Sequence, residues 1–210
     1  MDRERLEKCA KALERNGFAV TVADNAAAAG KYIRGEIKRA GPCTVSYGDS
    51  MTLYSTGVLD WVRSEGCCEL IDGFDESVTR EERLERRRQG LLADLFMTGV
   101  NAVSMSGTLH WLDMIGNRIA PVAFGPKSVI LAVGRNKVCD SITEAAERVR
   151  GVAAPLNVAR HEGFRTPCAA TGKCADCRSP QRICNTHMIM ERCYPPGRIT
   201  VVLIDEDLGL

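Results

Sequence analysis

The run Ser128 to Val133, SVILAV, constrains this chain most. After its first residue it is apolar without interruption and of strand length, the pattern of a strand buried on both faces of a sheet. Strand-like and helical segments alternate along the rest of the sequence, and that order predicts an α/β protein whose sheet is mainly parallel.

The N-terminal half follows the alternation closely. Leu6, Cys9, Ala10 and Leu13 form a helical stripe, with Asp2 as its cap and Gly17 as its stop. Phe18 to Val22 reads as a strand, and Asp24 is placed to cap a second helix with Ala29, Ile33 and Ile37 on one face, ended by Gly41-Pro42. Cys43 to Tyr47 is a short buried strand running into Gly48-Asp49-Ser50-Met51-Thr52, a polar turn at a helix start. Ser50 there is either part of an anion grip or simply the N-cap. Cys67 to Ile71 is a further strand, closed by Asp72-Gly73. Thr79 to Glu82 is a capping box opening a helix to about Leu92. The triplet Arg86 to Arg88 alternates with Glu81, Glu82 and Glu85 at helical spacing and reads as a solvated face.

The middle of the chain, Thr98 to Lys127, gathers glycines and small polar residues. Ala102 to Met105 and Thr108 to Met114 are strand-like around a Ser106-Gly107 turn, and a Gly116-Asn117 turn precedes a third extended piece, Ile119 to Phe124. This meander adds antiparallel pairing, so a mixed sheet is expected. Beyond the apolar run and its turn, Gly134 to Lys137, Ser141 to Glu144 is a second capping box whose helix runs to about Arg150. Pro155 to Glu162 is a further helix, Ile199 to Ile204 a final apolar strand and Asp205-Glu206-Asp207 an acidic tip.

Two turn regions form the walls of a candidate site for a small carboxylate or phosphate. Gly48, Asp49, Ser50 and Thr52 make one; Asn101, Ser106, Gly107, Thr108, Asn117, Arg118, Gly125 and Lys127 make the other. Arg118 or Lys127 would neutralise the acid, and Asp113 or His110 would move a proton, although Asp113 reads equally as a turn cap.

At 210 residues and 45% apolar content, one domain spanning 1–210 is expected. A net charge of +1 carries no footprint for nucleic acid or an anionic membrane. No run approaches the ~18 apolar residues of a membrane span, and the charged, helix-periodic N-terminus is unlike a cleavable leader, so a cytoplasmic protein is expected.

Ten cysteines in such a chain point to thiols or metal ligands rather than disulfides. Cys9, Cys43, Cys67, Cys68 and Cys139 lie in apolar patterns and read as small packing residues. The others fall in Thr166 to Pro196, a Cys-rich segment without clear periodicity. There Cys168-x5-Cys174-x2-Cys177-x6-Cys184 offers four sulfurs, two of them presented by one tight turn. The set suits a metal site, zinc or a [4Fe-4S] cluster; a Cys174/Cys177 dithiol and plain reduced cysteines are the other readings. Lys173, Arg178 and Arg182 are expected to lower the thiol pKa values, and Cys193 or His187 could replace one ligand.

Four motifs carry a resemblance: GDSMTL (48–53), ADLFMTGVNAVSMSGTL (93–109), GNR (116–118) and FGPKSVILAVGRNKV (124–138). Together they resemble the LUD-domain family, which contains the C component of the bacterial lactate-utilisation system. The resemblance implies a three-layer α/β/α fold like that of the NagB, RpiA and CoA-transferase superfamily, with the site at loops following the strands. It also implies a role in oxidation of L-lactate to pyruvate beside iron-sulfur partner proteins, and within the metal reading it favours a cluster over zinc. The sequence departs from the family pattern at Ser106, where an acidic residue is common. It has neither a recognisable CoA-transferase glutamate motif nor the C-x2-C-x2-C-x3-C-P ferredoxin run, and so resembles a stand-alone LUD domain. Three functions are therefore expected in competition: an accessory or electron-transfer component with a cysteine-ligated centre, an enzyme acting on a small hydroxy or oxo acid or a phosphosugar, and a zinc-stapled interaction protein.

Overall fold

The computed structural model describes residues 3–41 and 44–210. The expected cap Asp2, the stop Pro42 and the thiol of Cys43 lie outside the described residues. In chain order the elements are α1 (Arg3–Arg15), β1 (Ala19–Ala23), α2 (Ala26–Ala40), β2 (Thr44–Tyr47), α3 (Met51–Ser55), α4 (Val58–Glu65), β3 (Glu69–Ile71) and α5 (Arg80–Gln89). They continue with β4 (Leu95–Gly99), β5 (Ala102–Ser104), β6 (Leu109–Asp113), α6 (Ile119–Ala123), β7 (Ser128–Gly134), β8 (Val138–Cys139) and α7 (Ile142–Arg148). A π-helical turn, Val149–Ala153, joins α7 to α8 (Ala154–Ala159), and α9 (Pro167–Thr171), β9 (Thr186–Met190) and β10 (Ile199–Ile204) complete the order.

Six strands form a sheet in the order β1-β10-β7-β4-β2-β3, parallel at every junction. The apolar run is β7, flanked by β10 and β4. Its side chains alternate between two cores. Val129, Leu131 and Val133 pack with Leu6, Cys9 and Leu13 of α1, whereas Ile130 and Ala132 pack with Ile33 and Ile37 of α2 and with Leu53, Val58 and Val62 of α3 and α4. Helices on both faces make the expected α/β/α layering, and burial on both faces is why β7 carries no polar side chain after Ser128.

The antiparallel pairing sits in a separate sheet, ordered β8-β5-β6-β9, rather than within the parallel one. Leu109 and Trp111 of β6 join the α1 core, and Leu112 and Ala102 turn the other way, onto Ala145, Val149 and Ala154 of the α7–α8 helix. The mixed character expected of one sheet is thus divided between two.

Local signals hold where chemistry at the ends is explicit. The Thr79 and Ser141 hydroxyls accept from the Glu82 and Glu144 amides and start α5 and α7. Asn25, not Asp24, caps α2; Asp24 is instead paired with Arg3. Ile119 to Phe124 is not extended but contains α6, where Pro121 falls in the first turn, a place that needs no N–H from it. Cys67 is exposed rather than packed. The Cys-rich segment, read as irregular, contributes β9 to the second sheet. No helix among the described residues is long and apolar enough to cross a membrane.

Candidate functional site

Because the central strands run in one direction, their carboxyl ends open at one edge, and the loops after β2, β4 and β7 meet there. Gly99, at the end of β4, lets two loops touch: a Cβ at that position would stand 2.3 Å from the Ser50 Oγ. A cavity of about 290 Å³ occupies this edge, near the lower limit of small-molecule sites. The β6 end, the α8 helix and Leu210 complete its wall.

The wall carries Asp49, Arg87, Asp113, Arg118, Lys137 and Arg160, four cations against two carboxylates. Both carboxylates are engaged. Asp113 accepts from the Arg118 Nε at 2.9 Å and from the Arg118 amide at 2.9 Å, and Asp49 pairs with Arg160. Arg87 has no Asp or Glu in ion-pair reach among the described residues; its Nε donates to the Gly73 carbonyl and its guanidinium lies 4.4 Å from the Phe74 ring centre. Burial lowers its pKa, with Arg83 adding to the effect.

Lys137 is the most confined of these cations, at 4% exposure. Its Nζ donates to the Thr52 Oγ1 at 2.7 Å, and Thr52 passes its own hydrogen to the Leu208 carbonyl at 3.1 Å. Burial, with Arg148 and Arg118 adding to it, pulls the amine down to about 7. The chain's last residues close over it: Gly209 has φ +67°, and a Cβ there would come within 2.5 Å of the Thr52 Oγ1. Lys137 was not among the sequence candidates. In sequence it is one charge in a polar turn, and its burial arises from residues distant along the chain.

Of the sequence candidates, Asp49, Ser50, Asn101, Asn117 and Arg118 border the cavity, while Gly48 and Thr52 stand just behind them. Ser50 caps α3, its Oγ accepting from the Leu53 amide, as its plainer reading held. Ser106, Gly107 and Thr108 do not reach the cavity. Their turn packs on the end of α1, where Asn16 donates to the Ser106 and Gly107 carbonyls. Lys127 lies just before β7, at the amino end of the sheet, paired with Asp94 and 83% exposed. Gly125 packs on the Leu91 backbone. His110 is fully buried beside His187, and burial and that neighbour push its imidazole down to about 4. Its Nε2 meets the Thr108 hydroxyl and its ring does not line the cavity, so neither it nor the engaged Asp113 stands as a free proton carrier.

Four of the segment's five cysteines are brought together. Cys168, Cys174, Cys177 and Cys184 line one crevice of about 20 Å³, roughly the room of a single water, under α8. Arg182 ties its rim, donating to the Cys177 and Cys184 carbonyls and to Asp176. At Cys184 burial pushes the thiol up while Arg182 pulls the other way and Cys174 adds to the rise. The expected lowering does not prevail there. Among the described residues no three His, Cys, Asp or Glu side chains stand close enough to hold a metal ion as placed. Cys193 is buried in the α1 core, bonded to the Pro195 carbonyl, and His187 lies on β9. Neither lines the crevice. Ala154 and Ile183 line crevice and cavity alike, so the two share a wall.

The family model described as LUD domain matches residues 6–204. No curated protein matches the sequence. The 1.70 Å crystal structure of a DUF162 family protein from Deinococcus radiodurans is similar in fold, with a TM-score of 0.52 and 15% identity over 98% of this chain and 99% of that one.

Proposed function

Because the chain belongs to the LUD-domain family, which is associated with lactate utilisation, we propose that it is an accessory or electron-transfer component in the oxidation of L-lactate to pyruvate. In this reading Cys168, Cys174, Cys177 and Cys184 hold an iron-sulfur centre beside the cavity, and electrons pass between it and iron-sulfur protein partners. The observation that carries the reading is the convergence of four thiols on one crevice that shares Ala154 and Ile183 with the cavity.

The donor set fits in kind and number, since four thiolates ligate either a [4Fe-4S] cluster or zinc. The crevice is small, but Cys168 to Cys184 is mostly irregular after α9, with no buried residue within it. Cys184 alone of the four thiols packs against a core, that of α7 and α8, so rearranging the other three disturbs little packing. When bound, a cluster supplies one-electron chemistry; the chain supplies the thiolates, the Arg182 clamp and the wall toward the cavity. Metal analysis of anaerobically purified protein tests this. About four irons per chain with sulfide and absorption near ~400 nm are expected, lost in the Cys174→Ser, Cys177→Ser double variant. About one zinc without iron would replace electron transfer by a zinc-stapled interaction surface, and neither metal would remove the centre altogether.

A second reading, an enzyme acting on a small hydroxy or oxo acid, is favoured by the surplus of positive charge at the cavity. It predicts thermal stabilisation by lactate, pyruvate or a sugar phosphate. Unchanged melting with all three would remove it.

A further inference from the structure

Lys137 is poorly explained as a structural cation. An ammonium taken out of water needs an anion or a full set of acceptors. Among the described residues Lys137 has no Asp or Glu in ion-pair reach and one hydrogen-bond partner, the Thr52 hydroxyl. The charges that face it are Arg118, from the turn before α6, and Arg148, from α7; both oppose its protonation. From α3 it meets Thr52, and from the C-terminal segment the Gly209 backbone. A lysine among cations in a desolvated site is an activated amine rather than a point charge. The Thr52 hydrogen is committed to the Leu208 carbonyl, so Thr52 takes a hydrogen from the amine and leaves the nitrogen lone pair unengaged.

Resting on the small-acid reading of the cavity, we propose that Lys137 is a nucleophilic amine that condenses reversibly with the carbonyl of a small 2-oxo acid held there. The nitrogen attacks the carbonyl carbon, and the carbinolamine loses the carbonyl oxygen with both amine hydrogens as water. A C=N bond replaces C=O. No electrons are gained or lost, so the step needs no oxidant or reductant. The acid's carboxylate finds its counter-charge in the wall, where Arg87 is left without a carboxylate once Asp113 and Asp49 are paired.

The test is reductive trapping of the intact protein with pyruvate and cyanoborohydride, read by whole-protein mass and peptide mapping. The expected result is a mass gain equal to pyruvate less water plus two hydrogens. The label should sit on the Lys137 peptide ahead of exposed Lys11 and Lys31, and vanish from that peptide in Lys137→Arg. Label confined to exposed lysines, or unchanged in total in a folded Lys137→Arg, overturns the proposal. Should that variant not fold, the map of the unaltered protein decides. Melting with pyruvate separates the two failures. A pyruvate-induced rise in Tm that is reduced in Arg87→Ala, with Lys137 unlabelled, leaves the small-acid reading standing and removes the imine. Absence of both rise and label removes both.

Discussion

The cavity and the crevice share a wall but are built on opposite terms. The cavity hangs on the ends of buried parallel strands, and its polar groups are set in place by bonds within the protein, with Asp113 holding Arg118 twice and Thr52 holding Lys137. The crevice hangs on the short α9 and the irregular chain after it, whose four thiols are exposed or half-buried and whose main tether is one arginine. A site of the first kind is organised before its ligand arrives. A site of the second kind takes its final form from what it binds.

That contrast is broken most forcefully at Asp113. Replacing it with alanine leaves the Arg118 guanidinium confined without its carboxylate, and a loss of about 3–5 kcal/mol in urea unfolding is expected. A loss below about 1 kcal/mol would mean that the cavity wall is not preorganised by this pair.

Next in size is Lys137→Met, in the opposite direction. The folded amine titrates at about 7 against 10.5 for an ordinary lysine, so between those values the unfolded chain holds a proton that the native protein does not. Native stability therefore rises with pH across that window, and the cost of the lysine is fully present below about 7. A shift of that size corresponds to about 5 kcal/mol, and the Thr52 hydrogen bond given up offsets part of it, so the methionine variant should gain about 3 kcal/mol at acidic and neutral pH, a gain that fades as the pH approaches 10.5. Equal gains at both ends of the range would show that the benefit is packing.

The double variant Cys174→Ser, Cys177→Ser should change the stability of metal-free protein by less than about 1 kcal/mol, because neither thiol is packed in a core. A larger loss would place the crevice with the cavity as a preformed element. Smallest of all, Lys127→Ala should move unfolding by no more than about 0.5 kcal/mol and leave ligand-induced melting shifts alone, since the lysine of its pair with Asp94 is exposed and at the far end of the sheet.

What the sequence disclosed follows the range of the forces involved. The β7 run, the stripes of α1 and α2 and the two capping boxes depend on neighbours a few residues away, and all were legible. The same local reading misassigned Ile119 to Phe124, because a short apolar run has no period to distinguish helix from strand. β9 went unseen since its partner β6 lies far back in the chain and its own burial is only partial. Half of the cavity was legible through the turns after β2 and β4. Lys127 was misplaced because nearness to Arg118 in sequence conceals the whole length of β7's layer between them. Lys137 was missed because Thr52, its partner, stands 85 positions away, and no pattern within a turn reports such burial.

The wide π-turn at Val149–Ala153 sets the phase of the rod that follows. Ala153, Asn157 and Arg160 face the cavity, while Pro155 and Val158 face the crevice, so α8 reads out to both compartments at once. Wound as an ordinary α-helix, the same five residues would turn roughly 90° further and carry everything after them round with them. The Arg160 partner of Asp49 would then leave the cavity, and the floor beneath the thiols would turn with it. One wide turn thus keeps two chemically unlike chambers in register along a common axle.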